Sequence, residues 1–143
     1  MDSGGIIMYQ HYIQYYETDK MGVTHHSNYI RFMEEARVAF FNNIGFDYFK
    51  FEKCGIISPV VGLNNVRFKR PSTAGDTLDI EVSVKAVTSV IFTMQYVMKN
   101  KDVVVFAGES DHCLLDTNGK ILPLNDKRVE ALTNKIKALI EEA

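Results

Sequence analysis

The densest group of reactive side chains runs Tyr15-Tyr16-Glu17-Thr18-Asp19-Lys20-Met21-Gly22-Val23-Thr24-His25-His26-Ser27-Asn28-Tyr29. A carboxylate, a glycine and two histidines stand directly ahead of a segment with helical periodicity. The first turn of a helix presents N–H groups without intrahelical acceptors, together with a partial positive charge. An ionised carboxylate is stabilised there, and so is negative charge developing on the oxygen of a substrate carbonyl. Gly22 allows a tight or left-handed turn close to a ligand. Asp19 with carbonyl-polarising amides is a sufficient set for hydrolysing an activated acyl group. The same residue types have plainer uses, since an Asp ahead of a helix can cap it and a His pair in a loop can simply meet water. Type and spacing nominate the site without separating these readings.

The elements that must position it follow from periodicity. Met8 to Tyr16, rich in Tyr and Ile, reads as a strand leading into the group. Beyond the group, Tyr29, Phe32, Met33, Ala36, Phe40 and Ile44 recur at helical spacing, with Arg31, Glu34, Glu35, Arg37 and Asn42 on the other side. Ser27 or Asn28 is placed to cap this helix and Gly45 to end it in a left-handed turn. So wide and aromatic a face predicts a helix embraced by a sheet.

From Ser58 the period changes to two. Val61 and Leu63 share one phase and Val66 and Phe68 the other, which predicts a bulge near Asn64 and Asn65. Leu78, Ile80, Val82, Val84 and Ala86 alternate with polar residues, as do Val90, Phe92, Met94, Tyr96 and Met98. Asn100, Lys101 and Asp102 turn the chain into a strand from Val103 to Leu115, and short polar turns predict an antiparallel meander. After a turn at Asp116 to Gly119, Val129, Leu132, Ile136 and Leu139 mark a closing amphipathic helix. One helix inserted after the first strand of an antiparallel sheet is an α+β arrangement. Its open strand edges predict an oligomer.

Bulk composition narrows the function classes. A length of 143 residues suits a single domain over 1–143, because halves would bury too little surface. Apolar residues at 46% and charged residues at 24% describe a globular chain. A net charge of −2 gives nucleic acid no electrostatic footing. Cys54 and Cys113 are too few for a disulfide framework and lack zinc-ligand spacing, so no metal is expected. No apolar run approaches the roughly 20 residues that span a bilayer, and the N-terminus lacks the features of a signal peptide. A soluble, cytoplasmic protein is expected, with residues 1–7 as a loose extension.

Tyr16-Glu17-Thr18-Asp19, then Met21-Gly22-Val23, His26, Asn28-Tyr29, Phe32-Met33-Glu34 and Ala36-Arg37, resembles the signature of the 4-hydroxybenzoyl-CoA thioesterase family. Phe68-Lys69-Arg70-Pro71 followed by Gly75-Asp76 resembles a second family landmark, where a strand ends at Pro and resumes after Gly-Asp. The resemblance spans about Met8 to Leu124. It implies the hot-dog fold: an antiparallel sheet wrapped around one long central helix, here with a C-terminal helix added. It also implies an acyl-CoA thioesterase without a cofactor, assembled as a dimer or a dimer of dimers (a homotetramer), with active sites at subunit interfaces. Asp19 matches the catalytic carboxylate, acting as nucleophile or as general base for water. His26 falls seven positions later, where one branch of the family has a functional His and others use the backbone N–H of a Tyr. Gly22 and Val23 match the Gly-Val step near the substrate, and Tyr29 is expected to line the acyl pocket or fix the helix start. His25 matches no fixed family residue.

Of Arg67, Lys69 and Arg70, Arg70 beside Pro71 is the best placed to meet coenzyme A phosphates, the alternative being a solvated strand face. Glu17 is expected to be structural or solvent-facing, since a second carboxylate beside Asp19 would raise a pKa. Glu34, Glu35, Asp111 and His112 belong to no motif and are assigned no chemistry. Two rival functions exist on this fold. A hydratase pattern requires a His five positions after the Asp and an intervening Pro, whereas Thr24 stands there and no Pro intervenes. A non-catalytic acyl-CoA or acyl-carrier-protein binding module would not need Asp19 beside His26.

Overall fold

In a computed structural model, which describes residues 5–142, period-two alternation becomes a five-stranded antiparallel sheet. Its strands are β1 (Ile7–Tyr12), β2 (Val60–Phe68), β3 (Thr77–Val87), β4 (Phe92–Asn100) and β5 (Val103–His112), in the order β1-β3-β4-β5-β2. Helix α1 (His26–Asn43) follows β1 and lies on one face of the sheet; α2 (Tyr48–Lys53) follows it, and α3 (Glu130–Glu142) closes the chain. A two-stranded ribbon of β6 (Leu114–Leu115) and β7 (Ile121–Leu122) leads into α3. This is the α+β wrap expected of a hot-dog fold.

Tyr29, Phe32, Met33, Ala36, Phe40 and Phe41 of α1 are buried against Leu78, Ile80, Val82, Met94, Tyr96, Met98 and Phe106 of the sheet. Burying each large apolar side chain contributes about 1.5–3 kcal/mol, so this contact holds the helix in place. α1 ends as expected at Gly45, whose φ of +89° lets Phe46 N–H reach Phe41 O (2.8 Å) and Gly45 N–H reach Asn42 O (3.2 Å). The predicted bulge in β2 is present between Asn64 and Arg67, with Asn65 at φ +52°.

Several boundaries differ. β1 stops at Tyr12, and Tyr15–Glu17 is a 3-10 turn whose amide donor and carboxylate acceptor, Gln14 N and Glu17, bond to each other. Ile7 belongs to β1 and is 5% exposed, so the loose extension does not reach it; residues 1–4 lie outside the described residues. A bulge after Val84 turns Ala86 outward and Val87 inward. β5 ends at His112, and Leu114–Leu115 pairs instead with Ile121–Leu122. Helix α2, capped by the Asp47 carboxylate on Phe49 N–H (2.8 Å), was not foreseen.

Arg37 corrects its expected place on the outer side of α1, and His112, which belongs to no motif, joins it in the interior. Arg37 is 4% exposed and His112 is fully buried, and they end one hydrogen-bond chain through the core. His112 Nδ1–H donates to Pro59 O (3.2 Å), so its Nε2 accepts from the Ser110 hydroxyl (2.7 Å). Ser110 then accepts from Tyr96 OH (2.7 Å), which accepts from Arg37 Nη1 (3.1 Å). Burial, and then the charge of Arg37, push the His112 pKa from 6.5 down to about 3.

Folded His112 therefore stays neutral where the unfolded chain takes up a proton. Stability from this residue is intact above pH 6.5 and is lost as pH falls toward about 3. Comparing wild type with His112→Gln by urea melts, the stability difference should shift by about 2–3 kcal/mol against wild type between pH 7.5 and 4.5. Parallel responses of the two proteins would assign the histidine no part in acid sensitivity.

Candidate active site

The segment from Ile13 to Tyr29 is fastened at many points. Ile13 N–H donates to Asp76 O and Gly75 N–H donates to Ile13 O, both 2.9 Å, which ties the end of β1 to the start of β3. Asp19 N–H donates to Val23 O (2.9 Å) and Gly22 N–H to Asp19 O (3.0 Å), closing a tight turn that Gly22 completes at φ +78°. Asp19 is half-buried, and its carboxylate accepts from Met21 N–H (2.8 Å). The Thr73 hydroxyl holds the turn from outside by donating to Gly22 O (2.6 Å).

Two anchors set α1 relative to this turn. Glu17 O accepts from His25 N–H and from Asn28 Nδ2, each at 2.8 Å. Thr24 N–H donates to Ser72 O (2.7 Å), while the Ser72 hydroxyl is hydrogen-bonded to Thr24 Oγ1 (2.8 Å) and Tyr29 OH (2.6 Å). The helix cap is His25, whose Nδ1 accepts from Ser27 N–H (3.2 Å); neither Ser27 nor Asn28 fills that role. His25 thus has a structural task that no sequence signal disclosed. Among the described residues, no acceptor meets the main-chain N–H of His26, the first residue of α1.

His26, Tyr29 and Arg70 meet in one cleft of about 200 Å³, lined also by Thr24, Phe68, Lys69 and Pro71. Tyr29 stacks flat on Phe106 (5.1 Å) and meets the edge of Phe68 (5.8 Å), giving an aromatic wall with Phe68 half-exposed. Lys69 and Arg70, both exposed, follow the end of β2 and place positive charge at the mouth; Arg67 does not line the cleft. Asp19, Gly22 and Val23 form the adjoining turn without lining the cleft, and no hydrogen bond joins Asp19 to His26 among the described residues. The arrangement can hold a flat or aliphatic group against aromatic rings, with an unpaired amide at one end and cations at the rim.

Of the two uses expected of Glu17, structural or solvent-facing, the structural one holds: it is 6% exposed and accepts from Gln14 N–H and His11 Nε2, both at 2.8 Å. His11 Nδ1 meets Glu35 (2.9 Å), which also accepts from Tyr9 OH (2.9 Å). Burial, and then the bond to Glu35, push the Tyr9 hydroxyl up to about 12, so it remains a donor at working pH. Ser72 and His11 escaped the sequence reading because neither is a motif residue, whereas Phe68 stands in the second landmark, whose spacing does not disclose that it lines the cleft. Among the described residues, no helix is long and apolar enough to cross a membrane and no group of side chains is arranged to hold a metal.

Known proteins share this architecture. A protein of Aquifex aeolicus provisionally named an esterase is 34% identical over 126 residues, 87% of this chain and 96% of its own. The 1,4-dihydroxy-2-naphthoyl-CoA hydrolase of Thermosynechococcus vestitus is 27% identical over 121 residues, 82% of each chain. The crystal structure of a DHNA-CoA thioesterase from Staphylococcus aureus superposes with a TM-score of 0.87 at 28% identity, covering 96% of this chain and 94% of that one. The model of the thioesterase-like superfamily matches residues 13–137, from the end of β1 into α3, and the chain belongs to that superfamily.

Proposed function

We propose that the protein hydrolyses acyl-CoA thioesters to the free acid and coenzyme A, in the manner of the 4-hydroxybenzoyl-CoA thioesterase family. The observation that carries this reading is the unpaired His26 amide at the start of α1, at a cleft with aromatic walls and a basic rim. The superfamily and the CoA thioester hydrolysed by a named relative support it.

The thioester carbonyl lies with its oxygen at the α1 terminus, where the His26 N–H and the helix dipole stabilise the negative charge of the tetrahedral intermediate. Asp19 either attacks the carbonyl carbon or takes a proton from an attacking water. On the first route the tetrahedral intermediate expels the coenzyme A thiolate and leaves an acyl anhydride on Asp19, which water then cleaves to release the acid and restore the carboxylate. On the second, water adds directly and the thiolate leaves with the proton. The His26 side chain, exposed beside the cleft, orients substrate or water, while Gly22 and Val23 keep the turn close to the acyl group. Tyr29 holds the acyl group against Phe68. Arg70, with Lys69, binds the coenzyme A phosphates.

One chain leaves the cleft open on one side. Among the described residues β2 pairs only with β5, and it carries exposed Val60, Val61, Leu63 and Phe68. A second copy paired along β2 buries these side chains and covers the cleft beside Phe68, giving a dimer or dimer of dimers.

Asp19→Asn should lower turnover by at least about 10³-fold while leaving melting behaviour and acyl-CoA binding intact, because an amide neither attacks nor accepts the proton. Turnover within threefold of wild type would remove the central assignment. Arg70→Ala should raise KM for acyl-CoA about 3- to 10-fold with little change in kcat, since phosphate contacts hold ground and transition states alike. A thioester lacking the nucleotide should be unaffected, and equal loss on both substrates would make Arg70 structural. Light scattering at micromolar concentration should find a dimer or larger assembly, and a stable, active monomer would contradict the shared site.

A further inference from the structure

Behind the Asp19 turn, one imidazole joins two carboxylates from different elements. His11 of β1 meets Glu17 of the 3-10 turn through Nε2 (2.8 Å) and Glu35 of α1 through Nδ1 (2.9 Å). We infer that His11, carrying protons on both ring nitrogens, is a positioning residue that holds the Asp19 turn in register with the start of α1. The inference rests on the proposed role of Asp19.

Both contacts are hydrogen bonds to carboxylate oxygens, and an imidazole donates from both nitrogens only as the cation. A neutral ring would serve one carboxylate and point a lone pair at the other. The loser would be costly, because Glu17 is buried and, among the described residues, neither Glu17 nor Glu35 is bonded to a lysine or arginine. The other groups around the ring leave the arrangement little freedom. Tyr9 OH already donates to the Glu35 oxygen that His11 uses, Phe32 of α1 packs against the ring at 4.0 Å, and β3 presents Leu78 opposite His11.

Glu17 transmits the constraint. Its side chain is held by His11 and Gln14 N–H, while its carbonyl receives His25 N–H and Asn28 Nδ2 from the start of α1. Two residues on, Asp19 enters the turn closed by Val23. The path from β1 to Asp19 and the path from β1 to the His26 amide thus cross at Glu17. Losing the His11 bond leaves the helix packed but frees the turn, which separates carboxylate and amide by a fraction of an ångström. Small displacements of this kind suffice to lower turnover about 100-fold.

Two measurements test this. Nitrogen-resolved NMR of wild-type His11, at a pH where the protein turns over acyl-CoA, should show both ring nitrogens protonated; a neutral ring with one proton overturns the inference without any variant having to fold. Kinetically, His11→Ala and His11→Gln should lower kcat about 10- to 100-fold with KM within threefold, a split that loss of substrate binding would not give. His11→Arg, which keeps two charged donors, should recover most of that loss. Inactive Asp19→Asn alongside His11→Ala and His11→Gln within threefold of wild type in kcat overturns only the positioning role. An active Asp19→Asn overturns the proposed function and this inference with it.

Discussion

The whole arrangement depends on burial of the aromatic stripe of α1. Tyr29, Phe32, Met33, Ala36, Phe40 and Phe41 form a broad stripe along the helix that must be removed from water. The antiparallel sheet does this with strands that run from β1 on one edge to β5 and β2 on the other. Once those side chains are buried, the axis and rotation of α1 are set. So is the point in space where the unpaired His26 amide emerges.

That fixed terminus explains why the site is assembled from distant parts of the chain. The end of β2 and the loop before β3 arrive beside the helix start because β2 and β3 flank the same core. Phe68, Lys69 and Arg70 then line the cleft, and Ser72 ties Thr24 to Tyr29. The main-chain carbonyl of Glu17 takes two donors from the helix start, so the turn containing Asp19 is part of the helix cap region rather than a free loop. Backbone pairing of this density holds the donors in place in advance, which is the condition for electrostatic preorganisation.

Polar groups inside the fold are handled in two different ways. The chain from Arg37 through Tyr96 and Ser110 to His112 contains no carboxylate, and each hydrogen points toward the carbonyl of Pro59. It fixes β4 and β5 against α1 with one cation and a histidine held neutral. The His11 group does the opposite, placing two carboxylates on a single ring at the edge of the core. The first network lies beneath the middle of the helix, and the second lies under the Asp19 turn.

The one-dimensional pattern by itself determined the helix with its aromatic face, the Gly45 stop, the β2 bulge and the antiparallel meander, because periodicity and turn residues are local properties of the chain. It also singled out the turn from Asp19 to His26, where motif and helix start adjoin in sequence. Tertiary structure alone decided the interior polar groups. Arg37, placed outside by its charge, is buried because Tyr96 on a distant strand supplies an acceptor, and Glu17 is buried because His11 and Gln14 supply donors. It also decided that His25 caps α1, that Ser72 and Phe68 join the site, and that β1 gives way at Tyr12 to a 3-10 turn. A hydrogen-bond partner many residues away can reverse a side chain's preference for water, and local spacing carries no trace of where that partner will be.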